Sequence, residues 1–329
     1  MFIKKLYYKL FYKIYALIFR KYLLKEYMLN TLIPTNNKGQ ENSEIDIILP
    51  IFNGFEYLVK CVDSIINNSD KPFNLYLLND SSTDSRVSNY LEKLKNRYNS
   101  GEFRDSYLKS LIVINNKFNK GFVKNVNQGF ELIANNKNNI VIINTDVEVP
   151  ENWLSRITYP FEIYERIASV TPMSNSATIL SIPHKSSDNP IPSGFDINKM
   201  DSICQSIGYP LVKIPTGIGF CMAINKKALN EVGFFDENTF ELGYGEENDW
   251  CTRATNAGFV NIAATNLFVY HKHGVSFGES LNKKRQKLRR ENYKKLVLKH
   301  PNYEKRLQKF IAVDPLKEYR IKISEKLNI

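Results

Sequence analysis

The chain has 329 residues, 43% of them hydrophobic and 24% charged, a balance that fits a globular protein of one large or two small domains and excludes a disordered one. The net charge of +11 sits at the ends: residues 1–30 carry seven Lys/Arg against one acid and residues 280–329 sixteen against five, whereas 31–279 holds 22 basic and 28 acidic side chains. An acidic body argues against nucleic acid as a partner, and its basic ends point to an anionic membrane surface.

Residues 2–29 mix Leu, Ile and aromatics with lysine. Ile3, Leu6, Leu10, Ile14 and Leu17 follow helical spacing, and Lys5, Lys9 and Lys13 recur every four residues. The longest uncharged apolar run, Ile14 to Phe19, is far short of the ~20 residues of a membrane span and of the ~7–15 of a signal-peptide core. The segment reads as an amphipathic helix in the membrane interface, or as a helix packed on the body with its lysines in water. Polar residues 34–43 read as a linker. The four cysteines show no C-x-x-C pair, and without an export signal reduced thiols in the cytoplasm are expected.

From Ile45 the pattern alternates strand and helix. Ile45–Ile51 reads as a strand, then Phe52-Asn53-Gly54 as a turn and Tyr57–Ile66 as a helix. Phe73–Leu78 is a second strand ending in Asn79-Asp80-Ser81-Ser82-Thr83-Asp84. Leu111–Ile114 is a third, followed by Asn119-Lys120-Gly121-Phe122 and a helix to about Ala134. Ile140–Ile143 is a fourth, running straight into Asn144-Thr145-Asp146-Val147-Glu148, with Asn144, Asp146 and Glu148 expected on one strand face. The alternation predicts a mainly parallel Rossmann-like sheet with helices on both faces. Polar clusters at four successive strand ends predict a ligand crevice there. A carboxylate at Asp146 suits a divalent cation and phosphate, or else caps the turn before Pro150.

Segment 173–215 has poor periodicity and reads as a mobile loop that orders over a ligand. Thr216–Ile224 reads as a strand with small residues at its start, followed by a short helix at 227–232. Gly245-Glu246-Glu247-Asn248-Asp249 then opens a helix with three carboxylates in its first turn. The helix dipole accounts for one or two of them, and crowding raises one pKa toward a working base. A strand at 267–270 delivers His271 and His273, either as ligands or as packed residues. The pattern divides the chain into a basic helix and linker (1–40), the α/β domain (41–279) and a basic helical extension (280–329).

Five ordered pieces within 45–277 resemble family 2 glycosyltransferases of the GT-A fold, particularly rhamnosyltransferase-like bacterial members. They are Ile47–Asn53; Asn79–Asp84; Asn119–Phe122 with Asn127 and Gly129; Asn144-Thr145-Asp146; and Gly245–Asp249 followed by His271. The resemblance implies an inverting transfer of a hexosyl or deoxyhexosyl group from a nucleotide-sugar donor to a glycan or lipid-linked acceptor, in polysaccharide biosynthesis. It implies that Pro50, Phe52 and Asn53 shape the nucleotide pocket and that Asp80 hydrogen-bonds the base. Gly121, Asn127, Asn144 and Thr145 line the donor site. Asp146 and His271 would hold Mg²⁺ or Mn²⁺. Glu247 matches the catalytic base, with Glu246 and Asp249 as competitors. Asn79 and Asn144 stand where many members have Asp. They leave a weaker cation site or, as the alternative, an inactive nucleotide-sugar-binding or scaffolding protein. Localisation is expected to be cytoplasmic, peripheral on the inner face of the cell membrane.

Overall fold

The apolar runs become the middle of an eight-stranded sheet. The computed structural model describes residues 2–29, 44–186, 188–241, 243–272 and 279–329. In chain order the body comprises β1 (Ile45–Ile51), α2 (Phe55–Asn68), β2 (Phe73–Asn79), α3 (Ser85–Asn99), β3 (Leu108–Asn115), α4 (Phe122–Leu132), β4 (Asn139–Ile143), β5 (Val147–Glu148), α5 (Trp153–Ile163), β6 (Ile167–Met173), α6 (Ile197–Ile207), β7 (Val212–Ile214), β8 (Cys221–Ile224), α7 (Lys226–Val232), α8 (Glu246–Asn256), β9 (Val260–Phe268) and β10 (Tyr270–His271). Before it lies α1 (Phe2–Tyr27). After it lie α9 (Glu279–Lys299), α10 (Tyr303–Val313) and α11 (Lys317–Leu327).

The strand order is β3-β2-β1-β4-β8-β6-β9-β7, with β5 and β10 forming a separate antiparallel ribbon. The β1–β4 strands are mutually parallel, β8 is antiparallel to both its neighbours, and β6 pairs parallel with β9. The carboxyl ends of β1, β2, β3, β4, β6 and β9 therefore share one edge, and β8 begins there. This is the mainly parallel α/β architecture that the alternation predicts.

All seven residues of β1, of β2 and of β6 are buried, because the sheet is covered on both faces. Ile47, Leu49 and Ile51 enter one core layer, with α2, α3, α5 and α6, while Ile48 enters the other, with α4, α7 and α8. Each fully buried aliphatic or aromatic side chain contributes about 1.5–3 kcal/mol. Gly129 lets α4 approach the sheet: a Cβ there would lie 2.8 Å from Ile48 Cγ2.

Several expectations change. The chain leaves the sheet after Ile143, so Asn144, Asp146 and Glu148 do not share a strand face; Val147–Glu148 pairs instead with Tyr270–His271. Segment 173–215 is not a long mobile loop. It contains the end of β6, a 3-10 turn at Thr178–Leu180, α6 and β7, and residues 174–177 and 179–183 are buried. Side-chain-to-backbone bonds organise it, and these carry no periodic signature.

The terminal extensions pack on the body. Tyr12, Ala16 and Leu23 of α1 are buried, Ala16 and Leu23 against Val313; Tyr27 meets the Phe310 ring edge-on; and Arg20 donates to the carbonyls of Val313 and Asp314 at the end of α10. The linker at 34–43, and His273 with Gly274, lie outside the described residues.

Candidate active site

Three turns build the carboxyl edge from the β1 side. Asn53 adopts a left-handed conformation (φ 58°), which Asn tolerates better than most residues. Its Oδ1 accepts from the amides of Thr83 and Asp84 at 2.8 and 3.1 Å, and its own amide donates to Ser82 Oγ at 2.9 Å. The turn after β1 is thereby tied to the turn after β2. Pro50 is buried within β1, and Phe52 projects from its end, 42% exposed.

Asp80 follows β2 and is buried. Its Oδ1 accepts from the Lys120 amide at 2.8 Å and from Asn116 Nδ2 at 3.2 Å, and its Oδ2 from the Gly121 amide at 2.9 Å. These bonds engage both oxygens, so the carboxylate fastens the loop ahead of α4. Gly121 can present its amide this way because it sits at φ 83°. Asn127 acts similarly one helical turn on. It donates to the Phe235 carbonyl and Glu237 and accepts from the Phe235 amide, clamping α4 to the loop after α7. Among the expected donor residues, then, Asn53, Asp80 and Asn127 each tie neighbouring loops of this edge together.

β2 lies two strands from β4, so Asp80 and the end of β4 are about 10 Å apart along the edge. There Asn144 donates its amide to the Phe220 carbonyl at 2.8 Å, and its carbonyl accepts from Cys61 Sγ at 3.3 Å. Its side-chain Oδ1 is buried and has no partner. Thr145 is half-buried between Asn144 and Asp146.

The ribbon of β5 and β10 carries His271 to Asp146: Nε2 lies 3.5 Å from Asp146 Oδ1, and the Lys272 amide donates to the Asp146 carbonyl at 2.9 Å. His271 Nδ1 is 2.7 Å from the Ser176 carbonyl, which can only accept, so Nδ1 carries a proton. The Phe220 ring stacks on the imidazole at 4.9 Å. In the neutral ring Nε2 then holds a lone pair directed at a carboxylate, the tautomer of a metal ligand. An imidazole, a carboxylate and an orphaned amide oxygen fit a hard or borderline divalent cation. Among the described residues no cluster of three His, Cys, Asp or Glu side chains forms a closed metal cage, so any remaining ligands would come from a substrate or water.

On the far side, α8 runs antiparallel to β9 and returns its first turn toward the same edge. Cys251 in its second turn accepts from the Gly217 amide, ahead of β8. Glu246 is only 4% exposed and its carboxyl meets that of Glu247; one Oε2 of each is buried without a partner. Burial, and then the charge of Glu247, push Glu246 well above the usual carboxylate range; burial also raises Glu247, against hydrogen bonds from backbone amides and from Glu246 and, less, the charge of Arg289. The two carboxyls therefore compete for a proton, and Glu246, the more strongly raised, holds it the more tightly.

Asp249 belongs to a different arrangement. It is fully buried, and Lys299 Nζ, His300 Nε2 and Arg253 Nε reach it at 2.7, 2.7 and 2.8 Å. Burial alone would raise its pKa, but these three partners hold it below the usual carboxylate range. Further ties from the extension are Tyr303 to Asn248 Oδ1 at 2.6 Å and Asn292 to the Gly243 carbonyl at 2.7 Å. Sequence patterning missed Asn175, Ser176, Phe220, Lys299, His300 and Tyr303. The nearest signal was the pairing of a lysine and a histidine at 299–300 within an otherwise basic helix.

No curated protein matches this sequence. Among the solved structures that share its fold are the following two. A mannosyltransferase from Pyrobaculum calidifontis in complex with GDP-Man and Mn²⁺ aligns with TM-score 0.61 and 12% identity, over 98% of this chain and 86% of the other. GalNAc-T7 with UDP, GalNAc and Mn²⁺ aligns with TM-score 0.54 and 14% identity, over 89% of this chain but only 58% of its own length. The family model for glycosyl transferase family 2 matches residues 46–233, more than half of the chain and the part that builds every turn from Asn53 to Asp146. The chain thus belongs to glycosyl transferase family 2.

Proposed function

We propose that this protein is an inverting glycosyltransferase, moving a hexosyl or deoxyhexosyl group from a nucleoside-diphosphate donor to a hydroxyl of a cell-surface glycan or lipid-linked acceptor. The observation that carries the reading is the placement of Asp146 with His271, and of the Glu246–Glu247 pair, around one sheet edge. The first pair suits a diphosphate held through a cation; the second suits proton removal.

In this reading the donor lies along the edge, its nucleoside between the turns after β1 and β2. Asp146 and His271 would hold Mg²⁺ or Mn²⁺, with the Asn144 amide beside them. Such an ion, when bound, neutralises charge on the departing diphosphate. Glu247 takes the acceptor proton as the acceptor oxygen bonds to the anomeric carbon. The anomeric carbon–oxygen bond to phosphate breaks on the opposite face, and its electron pair leaves with the nucleoside diphosphate. Attack from that side inverts the configuration, through an oxocarbenium-like transition state. The Asn-x-Asp signature supports a rhamnosyltransferase-like subtype.

The outer face of α1 supports a working place on the membrane. Tyr7, Leu10, Ile14, Leu17, Ile18 and Tyr22 are exposed there, among seven basic side chains in residues 1–30. No described helix is long and apolar enough to cross a bilayer. Docking in the interface of the inner leaflet would bring the site near a lipid-linked acceptor of a polysaccharide pathway.

Glu247→Gln tests the chemistry. Transfer from a panel of nucleotide sugars should fall about 10²–10⁴-fold while donor binding survives. Near-normal turnover in that variant would refute the assignment, and absence of transfer in the wild type would favour an inactive sugar-nucleotide binder.

A further inference from the structure

We propose that Asn175 is the positioning residue that presents Nε2 of His271 to Asp146, and through it to a divalent cation. The cation rests on the functional reading above; the positioning rests on geometry alone.

The ribbon that carries His271 is slight. β10 has two residues and, among the described residues, pairs with β5 alone. Two-stranded pairings are marginal by themselves. The peptide groups of His271 face the other way. There the Asn175 side chain accepts from the His271 amide at 2.8 Å and donates to the His271 carbonyl at 2.9 Å. This is the pair of bonds that a residue of a neighbouring antiparallel strand would exchange. One primary amide thus substitutes for a third strand at a residue whose side chain reaches Asp146.

The next residue completes the restraint. The Ser176 carbonyl accepts from Nδ1, so the same dipeptide fixes the backbone, the ring orientation and the proton on the imidazole. Asn175 is itself held. Its carbonyl accepts from the amide and from Nδ2 of Asn189, both at 3.0 Å, and its Oδ1 accepts from Ser174 Oγ at 3.2 Å. Asn175, Ser176, Asn189 and His271 are all buried. Aspartate at 175 could still accept from the His271 amide but would set a carboxylate against the His271 carbonyl. Alanine would remove both bonds to the His271 peptide groups.

The experiment is long-range ¹H–¹⁵N NMR of the full chain with labelled histidine, at a pH above the ordinary histidine range. The protein has four histidines, and His271→Gln assigns the signals by their loss. The wild type should carry the His271 proton on Nδ1. Asn175→Ala should shift the ring toward a mixture with Nε2–H, and Mn²⁺ affinity, read from the paramagnetic resonance of the free ion, should fall about 10-fold or more. Asn175→Asp should do the same in part, and it decides the matter if the alanine variant does not fold. A wild-type proton on Nε2, or a folded variant with unchanged tautomer and Mn²⁺ affinity, would overturn the proposal. Wild-type protein that binds no Mn²⁺ would sink the cation reading, and the tautomer shift would still decide the role of Asn175.

Discussion

His300 Nε2 donates to the fully buried carboxylate of Asp249 at 2.7 Å, joining the end of α9 to the helix that bears Glu247. Lys299 reaches the same oxygen and also Asp236, so one ammonium ties the loop after α7 to α8. Breaking a buried pair by deleting one partner leaves the other uncompensated, at about 3–5 kcal/mol. Asp249→Ala should therefore cost about that much in urea unfolding. His300→Ala, which leaves Lys299 and Arg253 in place, should cost about 1–3 kcal/mol. The sign with pH follows from the lowered pKa of Asp249. Its contribution is complete above the ordinary aspartate range and is lost as pH falls through the depressed folded value. Equal stability of Asp249→Ala and wild type at neutral pH would contradict this account.

The two carboxyls of the first turn titrate in the opposite sense. Burial raises Glu247, so the fraction able to accept a proton declines at a pH above the ordinary glutamate range. The acid limb of kcat/KM should accordingly lie above that range. Glu246→Gln keeps a hydrogen-bond donor beside Glu247 and should retain the limb. Glu246→Ala removes the donor and should move the limb upward. A limb at the ordinary glutamate value in the wild type would show that Glu247 is solvated during turnover. For stability the sign is reversed from Asp249: folding favours the protonated pair, so its ionisation as pH rises costs folding free energy.

The sheet was legible because strands buried on both faces need long apolar runs. Ile45–Ile51, Phe73–Asn79 and the run to Ile143 gave nearly their observed bounds. The carboxylate clusters at Asp80, Asp146 and Glu246–Glu247 were legible as residue types at strand and helix ends. Their division of labour was not. Asp80, Asp146, Glu247 and Asp249 are alike in sequence as carboxylates near strand and helix ends, and the structure adds the partners that fasten Asp80 and Asp249. Segment 174–189 escaped for a related reason. Its order comes from Asn175, Asn189, Ser174 and Ser181 bonding to peptide groups, an arrangement without period 2 or 3.6. Packing of α1 was one of the two readings of its pattern, but its buried face was hidden, since Tyr12, Ala16 and Leu23 are no more apolar than the residues on the exposed face.

Asp80 offers a sharp contrast with Asp146. Asp80→Ala frees the amides of Lys120 and Gly121 and the loop ahead of α4. Loss of a buried charge-assisted acceptor should lower stability by about 1.5–3 kcal/mol and weaken nucleotide binding with or without metal. Asp146→Ala should leave stability nearly unchanged. It should weaken titrated UDP or GDP binding about 10-fold or more with Mn²⁺ present and little without it. Calorimetric titration of both variants, with and without Mn²⁺, separates the two roles. An Mn²⁺-independent defect in Asp146→Ala would remove the cation from this edge.

The exposed face of α1 gives the last test. Leu17 is 80% exposed and Ile18 69%, on a helix whose opposite side is anchored by Ala16, Leu23 and Arg20. Substitution of outer residues therefore leaves the contact with α10 intact, which deletion of the helix would not. Burying a Leu or Ile side chain in lipid contributes about 1.5–3 kcal/mol. A Leu10→Ser, Leu17→Ser, Ile18→Ser variant should lose at least about 10-fold in affinity for anionic vesicles while transfer to a soluble acceptor persists. Added salt should weaken wild-type binding as it screens the lysines. If the variant sediments with vesicles as the wild type does, the membrane is not what covers this face. If the wild type instead self-associates through it, a concentration-dependent mass abolished by the same three substitutions would identify a second copy as the occupant.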